Sequence, residues 1–105
     1  MTARICYTVT ATLPDEEVSR SYLRWLEDGH VDAVVDGGAH SAMIVRLERD
    51  SPGDPHRVQT VYVFPTREAF DGYVRHTAPA LREDGVRRFG SVAGVSFTRT
   101  IGEVV

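Results

Sequence analysis

The stretch YLRWLEDGH, residues 22–30, carries the clearest structural signal in this chain. Tyr22, Leu26 and His30 are four residues apart, so on a helix they lie on one face, with Trp25 beside them. We expect this face to point inward, because most of its side chains are apolar or aromatic. The helix would therefore bring a titratable imidazole to the edge of an apolar, aromatic environment.

The chain on either side of this stretch completes a strand–helix unit. Residues 4–12 alternate in the period-two pattern of a strand. The helix is then expected to begin with Thr12 as its cap and Pro14 in its first turn. Gly29 weakens the helix, which continues for a turn or two until the glycine pair at 37–38 ends it.

The second half of the chain shows a matching pattern. Residues 40–48 and 57–64 are predicted to form a hairpin of two strands, and residues 91–101 the last strand. Between them, Thr66 is predicted to cap a second helix, which Pro79 breaks or restarts.

A short helical piece after Pro79 is expected to reach about Asp84 and to end at Gly85. The element order is then β-α-β-β-α-β over residues 1–105, which we interpret as one domain. This is the ferredoxin-like α+β fold, a four-stranded antiparallel sheet with two helices on one face.

Both faces of the predicted sheet are partly apolar, although one face of such a sheet is usually polar in a monomer. We expect the helices to cover the more apolar set, which comprises Tyr7, Val9, Met43, Val45, Leu47, Tyr62, Phe64, Val95 and Phe97. The complementary set mixes Val and Ile with small polar side chains and comprises Cys6, Thr8, Ile44, Arg46, Gln59, Val61, Val63, Ser96 and Thr98. Pairing two sheets face to face in a homodimer would cover the second set.

Composition excludes several classes of function. The net charge is −3, and the 12 basic residues, all Arg, form no cluster larger than Arg87-Arg88, so we expect no nucleic-acid partner. No apolar run approaches the ~20 residues of a membrane span. Residues 1–5 lack the apolar core of a signal peptide, which predicts a cytoplasmic protein. The lone Cys6 excludes an intrachain disulfide and a cysteine-based zinc site.

Three segments resemble the DUF4286 family of the dimeric α+β barrel superfamily. Residues 25–34 share its tryptophan, histidine and spaced aliphatic residues, residues 76–85 are similar to its APxLRxxG segment, and residues 97–101 are similar to its last strand. Tyr22 departs from the family, which often has tryptophan there. The resemblance implies a homodimer with this fold. Its superfamily includes cofactor-free monooxygenases, polyketide cyclases, muconolactone isomerase-like enzymes and haem-degrading enzymes.

The candidate catalytic residues are His30, Arg99 and Arg46. A His of near-neutral pKa at a cleft edge suits acid–base chemistry, and at a helix end the dipole favours the imidazolium. The alternative for His30 is a structural role in capping backbone carbonyls. An inward Arg99 or Arg46 could stabilise an oxyanion, whereas an outward one is a solvated charge.

The candidate binding residues are aromatic or imidazole side chains that could line a pocket, or simply pack: Trp25, Tyr22, Tyr7, Tyr62, His40 and His76. His56 lies in a proline-rich loop and is expected to be solvated. The chain has no phosphate loop, nucleophile elbow, nucleotide fingerprint or metal-binding His spacing, so we expect no cofactor and no metal.

Together these features predict a homodimer that binds a small apolar or aromatic molecule in a cleft of roughly 300 Å³ or more between sheet and helices. We interpret the function as cofactor-independent acid–base chemistry, of the cyclase, isomerase or monooxygenase type, on an aromatic or polyketide-like substrate. The alternative is a non-catalytic ligand-binding or accessory dimer. In the catalytic case His30 would transfer the proton, and Arg99 or Arg46 would stabilise the oxyanion.

Overall fold

A computed structural model describes residues 3–105 of the chain. Met1 and Thr2, which the single-domain and N-terminal predictions include, lie outside the described residues. The strands are β1 (Ile5–Leu13), β2 (Ser41–Arg46), β3 (His56–Phe64) and β4 (Ser96–Glu103). The helices are α1 (Glu16–Trp25), α2 (Val31–Asp36), α3 (Arg67–His76) and α4 (Ala78–Phe89), with a π-helical turn at Leu26–His30 between α1 and α2.

The four strands form one antiparallel sheet in the order β2-β3-β1-β4. Alternate residues of β1 and β3 are buried beneath the helices, and they include Tyr7, Leu13, Tyr62 and Phe64. This strand order, with the helices on one face, confirms the predicted ferredoxin-like topology. The period-two pattern of β1 and β3 turns their most apolar side chains to the helices.

The predicted face of β2 was wrong. Met43 pairs with Val61 on the face opposite the helices and is 57% exposed, whereas Ile44 pairs with Thr60 on the helix-covered face. Ile44 packs against the core there. Both alternating sets of β2 are apolar, so hydrophobicity alone does not choose the face, and a shift of one residue exchanges the two sets.

The first helix is kinked, as its glycine suggested. Asp15, not Thr12, is the N-cap: its Oδ1 accepts a hydrogen bond from the Val18 amide at 2.9 Å, because β1 continues through Leu13. In the π-helical turn Gly29 has φ +126°, a left-handed conformation that favours glycine. The kink redirects the chain, so that α2 follows as a separate segment.

The second helix divides at its proline, as predicted. Thr66 caps α3 by accepting from the Ala69 amide at 3.0 Å, and α4 begins at Ala78 with Pro79 in its first turn. The predicted end at Gly85 was wrong, since α4 runs to Phe89. Gly85 is buried within the helix because the Trp25 ring packs against it. A Cβ added there would lie 3.4 Å from that ring.

Two clusters of buried side chains fill the space between sheet and helices. The first centres on Tyr7, Phe64 and Phe70, and the second on Tyr22 and Leu26 of the kinked helix. No helix in residues 3–105 is long and apolar enough to cross a membrane.

Candidate functional site

A cavity of about 60 Å³ lies between the sheet and the helices. It has room for a few water molecules and is smaller than the roughly 150 Å³ of an apolar cavity that holds benzene. It reaches the surface beside α4, where Val86 on its wall is 66% exposed. The cavity is smaller than the expected cleft of roughly 300 Å³.

Aromatic side chains supply most of the cavity wall. Strands β1, β3 and β4 form the floor, and α1, the π-helical turn, α3 and α4 form the roof. The cavity is lined by Tyr7, Val9, Tyr22, Trp25, His30, Thr60, Tyr62, Tyr73, Leu81, Arg82, Gly85, Val86, Phe97 and Arg99. Among these residues there are two arginines and no carboxylate, so the cavity favours an electron-rich ligand group.

The floor carries a pair of polar groups. Arg99 of β4 donates from Nε to the Tyr7 hydroxyl at 3.1 Å, because Arg99 pairs with Val9 and thereby reaches the helix-covered face of the sheet. Its guanidinium has further N–H donors besides Nε. Arg99 can therefore hold the Tyr7 hydroxyl and still donate to an oxygen atom in the cavity.

The hydroxyl of Tyr62 is buried and makes no hydrogen bond of regular geometry, although the Thr60 side chain lies near enough to oppose the effect of burial on its pKa. The side chain is 1% exposed, and its ring stacks on that of Tyr7 with 6.0 Å between centroids. Burial raises the pKa of Tyr62 to about 12, so the hydroxyl remains a neutral donor at physiological pH. An unpaired buried hydroxyl costs free energy that a bound acceptor would recover.

The roof carries His30, whose ring stacks on Trp25 with 4.0 Å between centroids. Its Nδ1 atom is buried and has no hydrogen-bond partner. Burial lowers the pKa of His30 to about 4, with a smaller opposing effect from the Asp84 carboxylate. The expected near-neutral pKa and dipole-stabilised imidazolium were wrong, because desolvation outweighs the charges around the ring.

A hydrogen-bonded clamp holds Trp25 in place from α4. Trp25 Nε1 donates to Asp84 Oδ2 at 2.9 Å, and the guanidinium of Arg87 donates to Oδ1 at 2.7 Å. Arg88 makes a longer bond of 3.4 Å to the same oxygen. The Trp25 and Arg87 bonds lower the pKa of Asp84 to about 2, so the clamp stays ionised across the physiological range.

Behind this wall lies a larger surface groove of about 540 Å³. Trp25, His30 and Leu81 line both the groove and the inner cavity. Around them, the groove carries charges of both signs, among them Arg24 and Asp28. The stacked indole and imidazole therefore form a partition between a small aromatic cavity and an open polar groove.

Six of the predicted site residues meet at the inner cavity: His30, Arg99, Trp25, Tyr22, Tyr7 and Tyr62. Tyr22 was expected to pack and to line a pocket, and it does both: its ring lies 5.7 Å from that of Trp25, and burial raises its pKa. The predicted helix and strand faces converge because the kinked helix lies over β1 and β4.

Three predicted site residues lie away from the cavity. Arg46 ends β2, which is the edge strand opposite β4, so about 14 Å of sheet separates it from the strand of Arg99. His40 is exposed before β2, where its amide bonds the Val63 carbonyl. His76 is exposed at the end of α3. His56, expected to be solvated, is half-buried at the start of β3 and also lies outside the cavity.

Sequence reasoning missed residues that α4 contributes. Arg82 and Gly85 line the cavity, and Asp84 clamps Trp25, although the helix was expected to end there. The spacing of Asp84 from Arg87 and Arg88, three and four residues, is a helical ion-pair pattern that signals a continuing helix. Tyr73 was counted as core and also lines the cavity.

The sheet, the helix layer and the cavity between them define a ferredoxin-like α+β protein. The chain belongs to DUF4286, a domain family of unknown function, whose model matches residues 4–104. This confirms the resemblance found in the sequence. No curated protein sequence matches it significantly.

Solved structures share the fold at low sequence identity. A dimeric ferredoxin-like protein from an uncultured marine organism is 18% identical, with a TM-score of 0.72, over 98% of this chain and 96% of that one. An ethyl tert-butyl ether D (EthD) family protein from Bacillus halodurans is 14% identical, with a TM-score of 0.68, over 95% and 99%. A variant of SnoaB, a cofactor-independent oxygenase from Streptomyces nogalater, is 10% identical, with a TM-score of 0.68, over 97% and 93%.

Proposed function

We propose that the protein binds an aromatic or polyketide-like small molecule in the inner cavity and performs cofactor-independent proton transfer on it. The observation that carries this proposal is the meeting of His30, Arg99 and six aromatic side chains at one cavity. Pockets of this kind combine an apolar wall with a few polar groups that orient the ligand.

His30 is the proposed general base. Burial holds the pKa of His30 at about 4, so its lone pair is free at physiological pH. The low pKa also makes the ring a weaker base than a free imidazole, so proton transfer depends on stabilisation of the substrate anion by Arg99. The acidic C–H or O–H bond of the substrate breaks, the proton moves to Nδ1, and the electron pair remains on the substrate as an enolate or phenolate. Return of the proton to another atom completes an isomerisation or prepares a cyclisation.

Arg99 is the proposed oxyanion stabiliser. Its guanidinium is positioned by the Tyr7 hydroxyl, so its donors are oriented before the substrate arrives. Trp25 and the tyrosines would hold the ring of the substrate. The similarity to the fold of SnoaB supports a second candidate, in which dioxygen, as co-reactant, forms a C–O bond to the same carbanion, and the resulting hydroperoxide loses water to leave a carbonyl group.

A proton-exchange assay tests the catalytic proposal. 4-Hydroxyphenylacetone carries a phenolic hydroxyl, and its deprotonation by His30 gives a phenolate that takes up deuterium from D₂O at the ring carbons beside the oxygen as the protons there are lost. This exchange is followed by proton NMR with native protein, His30→Phe and His76→Gln. We expect His30→Phe, which preserves ring stacking, to lose the protein-catalysed exchange by about a hundredfold. His76→Gln, outside the cavity, should match the native rate. Binding without exchange would favour a non-catalytic ligand-binding protein.

We also propose that the protein is a homodimer whose subunits pack through the helix-free face of the sheet. Met43, Val45, Val61 and Val63 lie on that face, and none of the described helices covers it. The marine neighbour is described as dimeric and ferredoxin-like. Together, these features support a two-fold pairing of sheets.

Sedimentation velocity at micromolar concentration tests the dimer. We expect twice the protomer mass of 11.6 kDa for the native protein and for Val35→Asp, a substitution on the helix side. Val61→Asp should sediment as a monomer, because it would bury an unpaired charge in the interface. A native protein that sediments as a monomer would contradict the dimer proposal.

A further inference from the structure

Two buried polar atoms of the described residues lack a hydrogen-bond partner, and both belong to residues that line the inner cavity. His30 Nδ1 is in the helical roof, and the Tyr62 hydroxyl is on the sheet floor. Buried polar atoms in folded proteins are almost always paired, so each unpaired atom calls for an explanation. Because both atoms belong to residues that line the same cavity, one ligand bound there could form a hydrogen bond with each of them.

The chemistry of the two atoms constrains that ligand. The Tyr62 hydroxyl, protonated at physiological pH, can donate to an acceptor on the ligand. Nearby on the floor, Arg99 adds further donors, so this side of the cavity suits a carbonyl oxygen. A neutral imidazole nitrogen without hydrogen accepts, so a ligand hydroxyl suits the roof. The two groups would be at different ends of the ligand, because the atoms lie in different layers.

The size of the cavity adds a third constraint. Its volume of about 60 Å³ is well below the roughly 150 Å³ of a cavity that holds benzene, so a single ring fits by extending into the opening beside α4, and a fused ring system is excluded. A larger ligand would have to displace Trp25 and His30, and Trp25 is tied to Asp84. The aromatic walls suit stacking or edge contacts with a planar ring.

We propose that the ligand of the inner cavity is a single-ring aromatic compound with a hydroxyl at one end and a carbonyl oxygen at the other. The hydroxyl pairs with His30 Nδ1, and the carbonyl oxygen accepts from Tyr62 and Arg99. This inference rests on the proposed function, and it narrows the substrate class of that same site.

Isothermal titration calorimetry with shape-matched probes tests the proposal. 4-Hydroxyacetophenone has both groups, 4-methylacetophenone lacks the hydroxyl, and 4-ethylphenol lacks the carbonyl oxygen. We expect 4-hydroxyacetophenone to bind about tenfold more tightly than either analogue, because each lost hydrogen bond leaves a buried group unpaired. 2-Hydroxyacetophenone, whose groups bond to each other, should also bind about tenfold more weakly.

Two variants assign each group to its partner. Tyr62→Phe should reduce the advantage over 4-ethylphenol severalfold, because only Arg99 still donates to the carbonyl oxygen, and should preserve that over 4-methylacetophenone. His30→Phe should remove the advantage over 4-methylacetophenone and preserve that over 4-ethylphenol. His40→Gln, outside the cavity, should leave all affinities unchanged.

The outcomes separate the two proposals. Equal affinity for all probes would overturn the substrate class, while exchange catalysed on 4-hydroxyphenylacetone would still support the proposed function. Tight, selective binding without exchange would leave the ligand class standing and reject proton transfer. Binding of none of the probes and no exchange would overturn both.

Discussion

Two aromatic regions lie between the same sheet and the same helix layer, yet they are built differently. Where α3 meets β3, Phe64 packs against Phe70 and Tyr73 with ring centroids 5.2 and 5.1 Å apart, and all three are buried. Where the kinked helix meets α4, Trp25 and His30 stack at 4.0 Å beside a cavity. The first region is filled, whereas the second leaves space.

The difference concerns polar atoms as well as volume. At the α3–β3 contact the packed rings leave little empty space. Such close packing gives the largest stabilisation from buried apolar surface. At the cavity, His30 Nδ1 and the Tyr62 hydroxyl are buried without partners. Each such atom costs about 1–3 kcal/mol, so the cavity lowers stability in a way that a ligand would reverse.

The largest effect is expected from Phe64→Ala in the filled region. Removing a fully buried ring should lower the free energy of unfolding by about 3–5 kcal/mol, measured by urea denaturation. Glu83→Ala, on the exposed side of α4, should change it by less than about 0.5 kcal/mol. A loss below about 1 kcal/mol for Phe64→Ala would mean that this region is not the tightly packed one.

The next effect is the pH dependence of stability from His30. Its folded pKa of about 4 lies below the unfolded value of 6.5, so between these values the unfolded chain binds more protons. Stability is therefore complete above pH 6.5 and is lost as the pH falls towards 4. We expect a loss of roughly 2 kcal/mol, less than full linkage, because the ring is partly exposed.

Urea denaturation of His30→Phe at several pH values isolates this contribution. The variant should lack the loss between pH 6.5 and 4.5, whereas His76→Gln should retain it. The contribution of Asp84, whose pKa is lowered to about 2, is complete above its unfolded value of 3.8 and is lost only as the pH falls from there towards 2, where protonation breaks the clamp. Identical pH profiles for native protein and His30→Phe would refute the depressed pKa.

A smaller effect is expected at Gly85, where α4 approaches the indole of Trp25. Gly85→Ala should stabilise the protein by about 0.5–1 kcal/mol, because alanine favours a helix interior and its Cβ would lie 3.4 Å from the ring. The fluorescence of Trp25, the single tryptophan, should not shift. Gly85→Leu should displace the indole and shift its emission. If Gly85→Ala instead destabilised the protein, the Trp25 ring would have to lie closer to α4 than a Cβ at 3.4 Å allows.

The smallest effect is expected from Tyr62→Phe. The lost hydroxyl has no partner, so the free energy of unfolding without ligand should change by less than about 0.5 kcal/mol, or rise slightly. Thermal denaturation measures this directly. A clear loss of stability would indicate a hydrogen bond to the hydroxyl in the unliganded protein.

The local sequence pattern was sufficient to predict the buried face of an element wherever one face is clearly more apolar than the other. The alternation in β1 and β3 predicted which residues face the helices, and Gly29 and Pro79 marked both interruptions of the helices. These signals act through backbone geometry and solvent exposure, which depend on neighbouring residues in the chain. The predicted helix face carrying Tyr22 and Trp25 also reached the cavity.

The face of β2, the length of α4 and the ionisation of His30 depended on tertiary contacts. Both sets of β2 are apolar, so pairing with β3 selected its face. Gly85 remains helical where α4 packs against the Trp25 ring, and burial rather than the helix dipole determines the pKa of His30. Each outcome depends on groups distant in sequence, whose approach no local pattern encodes.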